Sequence, residues 1–326
     1  MTNAPKNGRR YAELQVTSQF SFLRGASSAE ELFATAAIMG IEALAVVDRN
    51  SVAGIVRAHE AAKATGVRLI VGCRLDLACG MSVLVYPTDR AAWSRLCRLL
   101  TLGKGRAGKG GCHLEWDDLV AYGDGLIAVL VPDLADEVCA LRLRRLRAAF
   151  GDRAYLALTL RRRPNDQMRL WELSQLAQQA RVPTVVTNDV LFHEPGRRML
   201  QDVVTAIRHN TTIDALGLRR ERHADRYLKP PAEMYRLFAR WPEALARTLE
   251  IARRCTFSLD ELRYQYPEER DDPAQTPQQT LERLTWEGAE TRYPEGVPDE
   301  VTTALRHELT LIGKLEYAPY FLTVNS

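Results

Sequence analysis

Seven short β-rich apolar runs, most of them separated by helical patterns, predict an α/β fold built on a parallel sheet. The runs fall at 12–17, 43–47, 68–72, 82–86, 125–131, 154–160 and 183–187. Strands that alternate with helices are joined by crossovers, and crossovers leave neighbouring strands parallel. Seven such units in under 200 residues suit a closed or nearly closed β/α barrel, with an open doubly wound sheet as the alternative.

The elements follow in order. In "YAELQVTSQFSFLRG" (11–25), Ala12, Leu14 and Val16 alternate with Glu13, Gln15 and Thr17, and a period of two sends the polar set to the opposite face of a strand. Residues 28–39 open with Ser28 and Glu31 at capping-box spacing, and the alanine-rich stretch 51–65 ends at Gly66, so both read as helices. Apolar residues at helical spacing mark 88–102, 133–149 and 166–180, whereas the gap from 73 to 81 is too short for a helix. After Asn188 the strand signals stop. Helical patterns follow near 195–208, 231–240 and 242–255, the last two opened by Pro230-Pro231 and Pro242. The segment 264–280, rich in proline and charge, reads as a linker. Residues 281–326 hold two more helical patterns and finish on "YAPYFLTVNS", whose aromatic YFLTV run reads as a strand.

Composition sets outer limits. A chain of 326 residues with 46% apolar content can bury a full core and exceeds one average domain. No run approaches the ~18 apolar residues of a membrane span, and "MTNAPKNGRR" has no apolar stretch behind its charges, so a membrane anchor and a signal peptide are not expected and the location is expected to be cytoplasmic. Six cysteines (73, 79, 97, 112, 139 and 255) are scattered without a CxxC pair and read as reduced thiols. The net charge of +3 is small, but eight arginines lie between Arg142 and Arg163 against one acid, Asp152. Without an aromatic stacking platform interleaved with the charges, this run reads as a solvated face before it reads as a phosphate track. "GKGRAGKG" (103–110) lacks the Ser or Thr that a phosphate-binding loop needs, and it follows a helix instead of a strand, so it reads as a basic loop. Cys112 and His113 are adjacent, and adjacent side chains seldom meet as a thiol–imidazole pair.

In a β/α barrel the chemistry gathers at the C-terminal ends of the strands. Those ends carry Glu13, Gln15, Thr17 and Ser18, then Asp48, Arg49 and Asn50, then Arg74 and Asp76, and finally Asn188 and Asp189. Several carboxylates at one mouth suit a divalent metal, but two arginines share it.

"YAELQVTSQFSFLRGASSAEEL", "GIEALAVVDRNSVAG", "IVGCRLDL", "LTLGKGRAGKG", "PTVVTNDVLFHEP", "YLKPPAEMYRLF" and "PEALARTLEIARRCTFSLDEL" together resemble the N-terminal part of bacterial C-family DNA polymerases, the DNA polymerase III alpha subunits, and within them the error-prone ImuC-type branch. The resemblance runs from about Tyr11 to Val324. It implies a PHP (polymerase and histidinol phosphatase) domain, a distorted seven-stranded β/α barrel with C-terminal helices over residues 1–262, a linker at 263–280, and the start of a polymerase palm over 281–326. The palm's catalytic aspartates would lie beyond Ser326, so no catalytic residue is expected in this chain. It further implies damage-induced, translesion DNA synthesis by the parent polymerase, with magnesium as its metal and DNA, a sliding clamp and accessory mutagenesis proteins as its partners.

Carried over position by position, the H-x-H-x-H-S arrangement of metal-binding PHP members falls on Glu13, Gln15, Thr17 and Ser18. Their D-H-G-N motif reads Asp48-Arg49-Asn50-Ser51, a glutamate falls on Arg74, and the D-x-H motif reads Asp189-Val190-Leu191. Guanidinium has no lone pair to give a metal. The expectation is therefore a vestigial, metal-free pocket of Glu13, Gln15, Thr17, Asp48, Arg49, Arg74, Asp189 and Leu191, in which Arg49 and Arg74 pair with Glu13, Asp48 and Asp189. The competing expectation is a standalone metal-dependent phosphoesterase or exonuclease using Glu13, Asp48, Asp189 and His193.

Overall fold

The computed structural model describes residues 9–262 and 275–325, which divide into two compact units between Glu261 and Leu262. The larger unit is a mixed α/β assembly. Its strands are β1 (Ala12–Val16), β2 (Ala43–Val46), β3 (Arg68–Val71), β4 (Cys73–Asp76), β5 (Ser82–Pro87), β6 (Leu126–Leu130), β7 (Ala154–Leu158) and β8 (Thr184–Val186). All seven expected strands are present, and β4 is an eighth in the gap that was too short for a helix. They form a three-stranded sheet, β1-β2-β3, and a five-stranded sheet, β4-β5-β6-β7-β8. The expectation of parallel strands fails at β5, which runs antiparallel to both β4 and β6. The physical reason is connection length: five residues join β4 to β5, and a parallel pair needs a crossover of a dozen or more.

Helices α1 (Ala29–Met39), α2 (Ile55–Thr65), α3 (Arg90–Arg106), α4 (Trp116–Ala121), α5 (Glu137–Phe150) and α6 (Asp166–Gln179) fill the gaps between strands. Ser28 caps α1 in the expected reciprocal box with Glu31, and Gly66 ends α2 in the left-handed region that glycine reaches without a Cβ penalty. Helix α3 runs through Arg106, so half of "GKGRAGKG" is its last turn and not a loop. Gly103 is required there, because a Cβ would lie 2.7 Å from Cys112 Sγ and from Leu114.

Two apolar clusters sandwich the strands. One lies beneath α1 to α6, with Leu32, Leu96, Leu143 and Leu170 at its helix faces. The other gathers alternate residues of both sheets, among them Ala12, Leu14, Ala45, Leu84, Val129, Tyr155 and Val185. Strands buried on both faces carry few polar residues, which is why they read as apolar runs. After β8 come α7 (Arg198–Arg208), α8 (Pro231–Leu237) and α9 (Pro242–Arg254). Ile251 and Ala252 of α9 join the second cluster at the N-terminal ends of the strands, where Thr248 Oγ1 accepts from the Ala12 amide at 3.4 Å.

The smaller unit holds α10 (Pro277–Arg292), α11 (Asp299–Lys314) and α12 (Ala318–Asn325). Most of the expected linker lies outside the described residues, and α10 begins within the rest of it. The expected YFLTV strand is a helix instead. Ala318 and Leu322, four residues apart, are buried with Leu281, Leu309 and Ile312, so packing on one helical face overrides β propensity.

Candidate functional site

The strand ends opposite α9 form the mouth, and backbone conformation places its polar groups. Asn50 and Asp189 both hold left-handed φ angles (48° and 49°), which Asn and Asp tolerate better than other non-glycine residues. The Asn50 amide donates to the Arg74 carbonyl at 2.8 Å and Asn50 Oδ1 accepts from the Asp76 amide at 3.1 Å, so this turn ties β2's end to β4. Between β1 and β8's continuation, the Thr17 amide donates to the Val190 carbonyl (2.9 Å) and the Val190 amide to the Gln15 carbonyl (2.8 Å). Gly25 lies so close to Ser18 that a Cβ would sit 2.2 Å from its carbonyl oxygen, which folds the 19–25 loop back on β1 and carries Arg24 to the mouth.

The first-strand residues do not share one face as the alternation predicts. The pairing register shifts between Glu13 and Val16, and Leu14 and Val16 belong to different apolar clusters. A one-residue shift flips side chains across a sheet. Glu13 is fully buried and accepts from the Tyr11 hydroxyl (2.7 Å) and from the amides of Gln15 (2.9 Å) and Asn188 (3.2 Å). Gln15 Nε2 donates to Asp189 Oδ1 at 2.7 Å, while Thr17 and Leu191 line a cavity at the mouth. Asp48, also buried, accepts from the Ser18 amide (2.8 Å) and hydroxyl (2.7 Å).

The arginines do not pair as expected. Neither Arg49 nor Arg74 makes an ion pair with Glu13, Asp48 or Asp189: Arg49 Nη1 lies 2.6 Å from Asp76 Oδ2, and Arg74 Nε lies 3.0 Å from Asp76 Oδ1. Asp189 is held by Arg226, whose Nη2 is 2.6 Å from Oδ2. Sequence spacing gave no sign of Arg226. It arrives through a parallel bridge between Phe192 and Tyr227 and an amide–carbonyl bond from Leu191 to Arg226 at 2.9 Å. Lys229, buried and bonded to Asn188 Oδ1 at 3.0 Å, was missed for the same reason.

These partners set the charge of each acid. Burial pushes the Glu13 carboxyl up to about 7, against the hydrogen bonds that favour its anion, and pushes Asp48 up to about 6. Burial also opposes ionisation of Asp189, but Arg226, Arg74 and Arg161 outweigh it and hold that carboxyl down to about 2. Arg49 falls to about 10 through burial and the like charge of Arg74.

The residues present do not fit a metal. The matched positions carry no imidazole, the carboxylates are engaged by hydroxyls, amides and guanidinium groups, and among the described residues no group of three His, Cys, Asp or Glu side chains could hold an ion. His193 Nδ1 is 2.8 Å from Ser27 Oγ, a contact that anchors the chain to the residue before α1's cap. His113 is 2.9 Å from Glu115 and makes no pair with Cys112. The arginine run is largely absorbed by structure: Arg153 donates to the carbonyls of Gly123 (2.7 Å) and Leu126 (3.0 Å), and Arg145 stacks over Trp116.

Residues 13–163 match the PHP domain, and residues 279–326 match the bacterial DNA polymerase III alpha NTPase domain. The chain is 71% identical over 317 residues to error-prone DNA polymerase 1 of Agrobacterium fabrum, covering 97% of this chain and 29% of that protein. It is 48% identical over 317 residues to an error-prone DNA polymerase of Caulobacter vibrioides, with the same coverage of each. Among solved structures, an amidohydrolase from Chromobacterium violaceum aligns with a TM-score of 0.45 and 16% identity, over 56% of this chain and 87% of that one. The chain thus spans under a third of the length of the curated relatives it matches. A match to the PHP domain is thus followed by a match to part of an alpha-subunit domain, and along nearly all of its length the chain is similar to error-prone DNA polymerases.

Proposed function

We propose that this chain is the PHP-bearing part of an error-prone DNA polymerase that works in damage-induced translesion synthesis, and that its PHP domain is a metal-free scaffold for the polymerase core. The observation that carries the scaffold reading is the pairing of Asp189 with Arg226 and of Asp76 with Arg49 and Arg74, which supplies from the chain the positive charge a metal would bring. We read the two sheets as one distorted barrel. The shared apolar cluster and the bridges Val16–Val190 and Arg49–Arg74 support closure between them. Contacts with DNA, a clamp and accessory mutagenesis proteins, and magnesium at the polymerase centre, are properties we assign to the longer protein. Among the described residues no helix is long and apolar enough to cross a membrane.

Elemental mass spectrometry after dialysis against manganese and zinc tests the scaffold reading, with Glu13, Asp48 and Asp189 replaced together in a control. Metal well below one ion per chain, unchanged in the control, is the expected result. One ion per chain, lost in the control, would overturn it and restore the phosphoesterase or exonuclease reading. Primer extension opposite a damaged template base, by the longer protein with and without this segment, tests the polymerase assignment.

A further inference from the structure

At the mouth, a cavity of about 210 Å³ is lined by six arginines: Arg24, Arg49, Arg74, Arg208, Arg219 and Arg226. Its acids are Asp189 and Glu221, and Asp76 neutralises Arg49 and Arg74 from one side. Three carboxylates therefore face six guanidinium groups. Among the described residues the side chains of Arg24 and Arg219 have no hydrogen-bond or ion-pair partner, and Arg208 donates only to the Leu23 carbonyl, at 2.8 Å. Folding that leaves cations facing each other is unfavourable unless an anion answers them. Burial, and then the like charge of Arg24, hold the Arg208 guanidinium below its ordinary value.

The recess also carries neutral donors. Thr17 and Thr205 line it, and Gln201, 2% exposed, leaves its Oε1 buried without a partner. A half-turn of that amide presents two N–H donors in place of the oxygen. A second cavity of about 750 Å³ shares Arg49, Arg74, Arg219 and Arg226 with the first and adds Arg163 and Arg222, again without carboxylate partners among the described residues. The two cavities adjoin through these shared arginines, and the larger one also holds Asp133, Asp189, Glu221 and Asp225.

We infer that this mouth binds a terminal phosphate group, whose oxygens are received by Arg24, Arg208 and Arg219 in the smaller cavity while the rest of the ligand lies in the larger one. Planar guanidinium groups meet phosphate bidentately, and a terminal phosphate carries about two negative charges where a phosphodiester carries one. The bearer is a free polyphosphate or nucleotide, or the end of a nucleic-acid strand. No bond is made or broken. The inference stands on the arginines and is separable from the scaffold reading above.

Isothermal titration of the whole chain in EDTA tests it, with tripolyphosphate as the first probe and a short oligodeoxynucleotide with or without a 5′-phosphate as the second. The expected result is one saturable site for tripolyphosphate, weakened at least about tenfold in R24Q/R208Q and unchanged in R144Q, an exposed arginine of α5. Preference for the 5′-phosphorylated oligonucleotide over its 5′-hydroxyl twin would assign the site to strand ends; equal weak binding of both would assign it to free polyphosphate. Circular dichroism and melting temperature confirm that R24Q/R208Q is folded, and R219Q serves as a second variant if it is not. Absence of a saturable site, or equal affinity in folded R24Q/R208Q, overturns the inference and leaves the metal-content result untouched. Binding only after manganese is added overturns both this inference and the metal-free reading.

Discussion

Two pairs of acids at one mouth behave in opposite ways. Glu13, within β1, and Asp48, just after β2, are met by hydroxyls and backbone amides, and burial raises them to about 7 and about 6. Asp76 and Asp189, toward the other side, are met by Arg49, Arg74 and Arg226, and both are held below their ordinary range despite their burial. The lesson is that a neutral donor satisfies a buried carboxyl group without keeping it charged, whereas a guanidinium does both.

The largest effect is expected on the charged side. Arg226→Ala leaves Asp189 buried without its cation and is expected to destabilise the larger unit by about 3 kcal/mol in urea unfolding. Asp189→Asn added to Arg226→Ala should restore part of that loss; if the double variant is no more stable than the single one, charge is not the cause.

The neutral side sharpens the comparison through pH. Because the folded Glu13 carboxyl is raised above its ordinary 4.5 to about 7, its stabilising contribution is full below about pH 4.5 and is lost as pH rises through 7. The shift corresponds to stability on the order of 3 kcal/mol, and Asp48 adds in the same direction between about pH 4 and 6. Asp189 has the opposite sign: its contribution is present above about pH 4 and is lost as pH falls through 2. Urea midpoints should therefore decline from pH 5 to pH 8, and Glu13→Gln should flatten that decline. A wild-type profile as flat as that of the variant would break the contrast.

Smaller changes follow. Ser18→Ala removes the hydroxyl that donates to Asp48 and is expected to cost about 1–2 kcal/mol while raising the Asp48 carboxyl further, as carboxylate NMR titration would read. Arg49→Gln should cost under about 1 kcal/mol, since Asp76 keeps Arg74 and Ser82 and the lost pair is partly exposed. A loss as large as that of Arg226→Ala would place the mouth's stability in Asp76 instead of Asp189.

Much of this was legible in the chain. The runs at 12–17, 43–47 and 154–160 became strands because apolar β-branched and aromatic residues buried on two faces leave a continuous signal. The Ser28 cap and the Gly66 stop were readable because capping is local. Asp48, Arg49 and Asp189 do follow the strands that the apolar runs indicated. Their partners were not legible: Arg226 lies 37 residues from Asp189 in sequence, and no periodicity links them. Nor could alternation reveal the register shift in β1, which depends on how β2 and Val190 pair with it.

By itself, then, the sequence determined seven of the strands and most of the helices of the α/β unit, the loss of imidazole at the matched metal positions, and the presence of acids and arginines together. Those are properties of residue type and short-range spacing. Only the tertiary structure decided which arginine meets which acid, that YFLTV is a helix, and that Arg24, Arg208 and Arg219 converge on one recess. Each depends on contacts between segments far apart in the chain, where burial and geometry, not local preference, fix the outcome.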